Sequence, residues 1–84
     1  MPEQIEPEVI RISPEQLQIA GRILYGQQWQ TDFARAVKVD PRRVRQWLSG
    51  DRPIPPGIRA EVVKLLLENS QNALSFANIL QNIE

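Results

Sequence analysis

The chain has 84 residues, which is enough for one small domain with a single hydrophobic core. Its 42% hydrophobic and 24% charged residues are typical of a globular protein and argue against wholesale disorder. It contains no cysteine and no histidine, which excludes disulfides, a thiolate nucleophile and the usual general base and zinc ligands.

Membrane and enzyme functions are both disfavoured by the sequence. No apolar run approaches the roughly 18 residues of a bilayer span, and Met1-Pro2-Glu3 does not begin a signal peptide. The acids are dispersed, and no glycine-rich phosphate loop occurs. We therefore expect a soluble, cytoplasmic protein that is not an enzyme, with no catalytic residue, metal, cofactor or small-molecule ligand.

The formal net charge is zero, but the charge is unevenly distributed. Residues 35–59 carry seven basic and two acidic side chains, a net charge of +5, whereas residues 1–34 carry −3 and residues 60–84 carry −2. Phosphate binding needs a local basic patch and not a basic average. The middle third of the chain is therefore a candidate for nucleic-acid binding.

The first predicted elements are an arm and a helix. Residues 1–12 contain two prolines and little periodicity, which predicts a flexible or extended arm. The sequence Ser13-Pro14-Glu15-Gln16 has the spacing of a capping box, with proline at the first helical position. Apolar residues then recur at helical spacing up to Gly26, and Ile23 widens their stripe.

Two short helices are predicted next. Trp29 to Val37 forms the second, with Phe33 and Val37 on one face. Asp40 and Pro41 have the residue types of an N-cap and a first helical position, and they open a third helix that ends near Gly50.

The last third of the chain predicts two more helices. Pro55 or Pro56 opens the fourth, and the apolar pattern restarts near Asn69-Ser70 to give a fifth. The predicted organisation is the arm, a domain over residues 13–69, and a C-terminal helix over residues 70–84. That last helix either completes the core or mediates dimerisation. The predicted fold class is all-α, a compact bundle of about five helices.

The third helix has two different sides. Val44, Trp47 and Leu48 converge on one side at about 100° per residue. The opposite side presents Arg42, Arg45, Gln46 and Ser49. Arginine can bond guanine O6 and N7, glutamine can bond adenine N6 and N7, and serine can bond several base edges. These four side chains are the predicted base-reading residues in the major groove of double-stranded DNA.

The spacing of the second and third helices is also informative. With Gln30 as position one, Ala34 is fifth, Val39 tenth, Val44 fifteenth and Trp47 eighteenth. A small residue at the fifth position lets the helices approach closely, and the apolar residues lock them at a steep angle.

This pattern resembles the helix-turn-helix regulators of the lambda-repressor, Cro and Xre type, and the likeness extends from Pro14 to about Glu68. The resemblance implies a lambda-repressor-like bundle, and a repressor-like role in transcription regulation. It implies that the start of the second helix touches phosphate. The chain departs from the family at Lys38, where glycine is common because the turn tends to need a positive φ. The predicted phosphate-binding residues are Gln30, Thr31, Arg35, Lys38, Arg43 and Arg52.

Alternative functions use the same fold. The arginine-rich segment is also compatible with a protein-interaction module that binds an acidic partner, or with the antitoxin-type partner of a toxin. If the protein binds DNA, a homodimer through the C-terminal helix is expected, since such regulators commonly pair on half-sites about one DNA turn apart.

Overall fold

The computed structural model describes residues 11–82, and every regular element in this range is a helix. The helices are α1 (Pro14–Tyr25), α2 (Gln30–Val37), α3 (Pro41–Ser49) and α4 (Gly57–Gln81). The all-α prediction is confirmed, with four helices in this range instead of about five. None of the four combines the length and the apolar character that a bilayer span requires.

The predicted arm, residues 1–12, falls largely outside the described residues. Ile12, assigned to that arm, is only 9% exposed and belongs to the hydrophobic core. It directly precedes the N-cap Ser13, and Leu17 in the second turn of α1 belongs to the same core. A hydrophobic residue before the N-cap commonly packs on the fourth helical residue, here Leu17, which explains why Ile12 is buried.

The start of α1 has the predicted capping box. The backbone N–H of Gln16 donates to Ser13 Oγ at 3.1 Å, and the backbone N–H of Ser13 donates to Gln16 Oε1 at 3.0 Å. The helix ends at Gly26, whose φ of 87° suits glycine. On its inner face Leu17 and Gly21 are buried, but Ile23, expected to widen the stripe, is 61% exposed.

The indole of Trp29 links α1 to α2. Trp29 is 1% exposed, and a Cβ at Gly21 would overlap its six-membered ring. Its rings meet Phe33 edge to face, with centroids 5.9 Å apart. Glycine at position 21 thus lets α1 approach this aromatic pair closely. The helix itself begins at Gln30, one residue later than predicted.

The core is built from all four helices and the segments between them. It includes Ile54, in the proline-rich loop between α3 and α4, which anchors that loop at 4% exposure. None of the polar or charged side chains in residues 11–82 is buried. Among residues 11–82 the buried apolar residues are Ile12, Leu17, Ala20, Trp29, Phe33, Ala34, Val44, Trp47, Ile54, Ile58 and Val62.

The fourth and fifth predicted helices are one continuous helix. α4 runs for 25 residues through Asn69 and Ser70 without interruption. Asparagine and serine cost a helix interior only about 0.5–0.7 kcal/mol each, whereas proline costs about 3 kcal/mol. No proline or glycine follows Gly57 in the chain, so the change of pattern at Asn69 does not break the backbone.

The second half of α4 lies outside the core. Ile58 and Val62 are buried, but every residue from 67 to 82 is exposed. The radius of gyration is 16.1 Å, against about 12 Å for a compact domain of this length. We refer to residues 67–81 as the α4 extension and to residues 11–66 as the body.

Candidate nucleic-acid interface

The two sides of α3 differ sharply in burial. Val44 is completely buried and Trp47 is 2% exposed, so the apolar side faces the core as predicted. On the opposite side Arg42, Arg45 and Ser49 are exposed and Gln46 is half-buried. We call these four residues the front of α3. The helix thus presents a polar surface to solvent while its apolar side holds it on the body.

Capping fixes the start of α3. Asp40 Oδ1 accepts a hydrogen bond from the backbone N–H of Arg42 at 2.8 Å, and Pro41 occupies the first helical position. This cap satisfies one of the free N–H groups of the first turn. The N-terminal half of the front is therefore carried by a defined helix end.

The turn between α2 and α3 has the left-handed conformation expected where glycine is common. Lys38 has φ 63° and ψ 45°, and within residues 11–82 it is the only non-glycine residue with a positive φ. The turn is stabilised by the N–H of Val39, which donates to the carbonyl of Ala34 at 2.9 Å. The departure from glycine leaves the turn intact and exposes the Lys38 side chain.

A shallow depression of about 200 Å³ lies beside the front of α3. It is lined by Asp40, Arg42, Arg43, Gln46 and Arg52, and we call it the arginine depression. The backbone N–H of Arg52 donates to the carbonyl of Gln46 at 3.2 Å, which returns the loop after α3 to this side. Predicted base-reading and phosphate-binding residues therefore share one surface.

The arginines of α3 have no carboxylate partner among residues 11–82. Asp40 lies nearest in sequence, but it caps the helix. The ion pair in this range joins Arg35 Nη1 to Asp32 Oδ1 at 3.1 Å on the exposed side of α2. Arg35, a predicted phosphate contact, is thus partly neutralised by its neighbour, whereas Arg42, Arg43 and Arg45 have no such partner within residues 11–82.

Ser49 makes local hydrogen bonds. Its Oγ donates to the carbonyl of Gln46 at 3.2 Å and accepts from the backbone N–H of Asp51 at 3.3 Å. Together with Gly50 at φ 88°, these bonds terminate α3. The hydroxyl keeps one lone pair free, which can still accept a hydrogen bond, and the base-reading role of Ser49 stays a prediction.

The start of α2 adds a second polar surface. Gln30 is half-buried and Thr31 is exposed, and together with Gln27 and Gln28 they line an open depression of about 390 Å³. The sequence reasoning did not include Gln27 and Gln28. A signal for them was present in the sequence, because Gln27 and Gln28 directly precede Trp29 and their side-chain amides can donate hydrogen bonds.

Comparison of the chain with protein-family models, curated protein sequences and solved structures finds no match.

Proposed function

We propose that the protein is a sequence-specific double-stranded DNA-binding protein and a small, repressor-like transcriptional regulator. The observation that carries the proposal is the two-sided α3, with Val44 and Trp47 buried and arginines unpaired within the described residues on the front. A helix of about two turns fits the major groove, and its N-terminal residues meet the bases.

The roles of the individual side chains follow from their positions. Arg42, Arg45 and Gln46 are the base-reading residues, because they project from the exposed side of α3 and match guanine and adenine edges. Arg43 and Arg52 flank them in the arginine depression and hold the DNA backbone. Further backbone contacts come from Gln30, Thr31 and Lys38, with Arg35 weakened by its pairing to Asp32.

The electrostatics agree with this arrangement. The net charge of +5 over residues 35–59 includes α3 and both flanking loops, and the acids lie mostly elsewhere in the chain. Each phosphate contact displaces condensed counterions, so affinity should fall steeply as salt rises. A neutral chain can therefore bind DNA through one surface.

The test is selection of bound sequences from random duplexes, followed by anisotropy titrations at low and moderate salt. Arg45→Ala should cost about 1–3 kcal/mol on the selected site and relax base preference at one position. Lys64→Ala removes the same charge from the exposed part of α4 and should leave the affinity nearly unchanged. Failure to retain any duplex at low salt would exclude DNA binding and favour a protein partner.

A further inference from the structure

An open groove runs between α1 and α4, and none of the proposed DNA contacts lines it. It has a volume of about 290 Å³ and shares no lining residue with the arginine depression. Ile19 and Ile23 of α1 and Val63 of α4 line it, and each of them is between 48% and 61% exposed. A contiguous group of exposed large apolar side chains marks a site of interaction. The groove is therefore an apolar surface that has no cover within residues 11–82.

Two hydrogen-bond donors lie at this groove, whereas no carboxylate lines it. Arg59 is the one charged lining residue; it is exposed and has no carboxylate partner within residues 11–82. Gln16 is the second donor. Its Oε1 accepts the backbone N–H of Ser13 in the capping box, which leaves the N–H groups of its side chain to donate. An occupant that combines apolar side chains with carboxylates therefore matches the groove.

The residues that directly precede Arg11 in the chain have this composition. Residues 1–10, which we call the N-terminal segment, contain three glutamates and no lysine or arginine, a side-chain charge of −3. Their large apolar side chains are Met1, Ile5, Val9 and Ile10. The segment thus carries the acidic and apolar groups that complement an apolar groove with one cation.

The N-terminal segment is attached at the groove itself. Ile12 lines the groove and is 9% exposed, so the chain enters the described residues beside it. The stretch of α1 from Gln16 to Ile23 extends about 10 Å along the helix axis, a distance that about three residues of extended chain cover. Val9 and Ile5 can therefore reach the groove without a rearrangement of the body. Because segment and groove belong to one chain, contacts too weak to join separate molecules can form between them.

We propose that residues 5–10 dock in the α1–α4 groove of their own chain. Their apolar side chains cover the exposed isoleucines of α1, and the carboxylate of Glu6 or Glu8 accepts hydrogen bonds from the guanidinium of Arg59. Pro7 biases the residue before it toward an extended conformation, which suits a segment that lies along a groove. This inference does not depend on DNA binding.

Proteolysis of the full chain tests the docking. A glutamate-specific protease cleaves after Glu8 only when the segment leaves the groove, so the cleavage rate follows the undocked population. Ile23→Asp places a charge in the groove and should raise that rate at least about threefold. Leu74→Asp introduces the same charge at a similarly exposed residue outside the groove and should leave the rate unchanged. Arg59→Gln removes the cation and should raise the rate by a smaller factor, about twofold.

Tryptophan emission keeps this test interpretable. Trp29 and Trp47 are buried in the body, whereas Ile23 and Leu74 are more than half exposed. A variant that releases the segment without unfolding therefore retains the wild-type emission maximum. Equal cleavage rates for the wild-type and Ile23→Asp chains would overturn the docking.

A spin label locates the segment, because the chain has no native cysteine to compete for the label. With the label on Gln4→Cys, the amide NMR signals of Ile19, Ile23 and Val63 should lose most of their intensity, and adding Ile23→Asp should restore the signals of the other two. Strongest broadening at the front of α3 would place the segment there and overturn the proposal. Broadening of an unlabelled, isotope-enriched chain by a spin-labelled one would show that a second copy supplies the segment, and would overturn docking within one chain.

Discussion

The two halves of α4 both carry apolar side chains at helical spacing, but they differ in solvent exposure. In the first half, Ile58 and Val62 are buried against the body, whereas in the extension Phe76 and Leu80 are more than half exposed. The difference lies in the neighbours, since α1 faces α4 at residues of its first half such as Val62 and Leu66, whereas every described residue from 67 onward is exposed. Apolar periodicity alone therefore does not determine whether a helix face is buried.

The largest expected effect is the loss of a tryptophan from the body. Trp47→Ala removes a nearly fully buried indole and should lower the free energy of unfolding by about 3–5 kcal/mol. Phe76→Ala removes an aromatic ring of the extension and should cost a dilute protomer less than about 1 kcal/mol. Urea denaturation followed by circular dichroism measures both. Equal losses would show that the extension is packed within the protomer.

A smaller effect is expected where α1 meets Trp29. Gly21→Ala places a methyl group on the indole ring and should destabilise the body by about 2 kcal/mol, since overpacking outweighs the gain of about 1 kcal/mol in helix propensity. Gly57→Ala is the control, because a Cβ there meets nothing within 4 Å. A stabilised Gly21→Ala protein in thermal unfolding would contradict the close contact.

A glycine in the left-handed turn at Lys38 should change the free energy of unfolding by less than Gly21→Ala does. Lys38→Gly removes the steric cost of φ 63° and should raise the free energy of unfolding by up to about 1 kcal/mol, partly offset by the flexibility of glycine in the unfolded chain. The same change removes one cation beside α3. If the proposed function holds, duplex affinity should fall for all sequences alike, so that stability and binding move in opposite directions.

The smallest effect is expected from removing the extension. A chain that ends at Leu66 keeps every residue of the core, so its Trp29 and Trp47 emission should be unchanged. In dilute solution, its free energy of unfolding should stay within about 1 kcal/mol of the full chain. A loss of several kcal/mol in the same dilute conditions would mean that the extension stabilises the protomer directly.

Local signals predicted the body well. The Ser13 capping box, the Asp40 cap and the buried side of α3 each rest on residues within a few positions of one another, and each is found as expected. The positive φ at Lys38 was expected from the resemblance to helix-turn-helix regulators, in which glycine is common at this position. These features need no knowledge of distant contacts.

Features set by distant neighbours were missed. Ile12 and Ile54 lie in segments rich in turn residues, and only packing against the rest of the core buries them. The exposure of Ile23 depends on the angle between α1 and α4, which sequence periodicity does not determine. The hydrogen bonds of Ser49 were missed because helix-end geometry, and not residue type, decides where its hydroxyl points.

The residue types on the polar surface around α3 determine which solution condition changes the strength of its contacts. The chain has no histidine, the side chain whose charge ordinarily changes between about pH 5 and 8, and the cations around α3 are arginines and one lysine. No ionisable side chain of residues 11–82 is buried. Ionic strength is therefore the condition to which contacts made by this surface should respond.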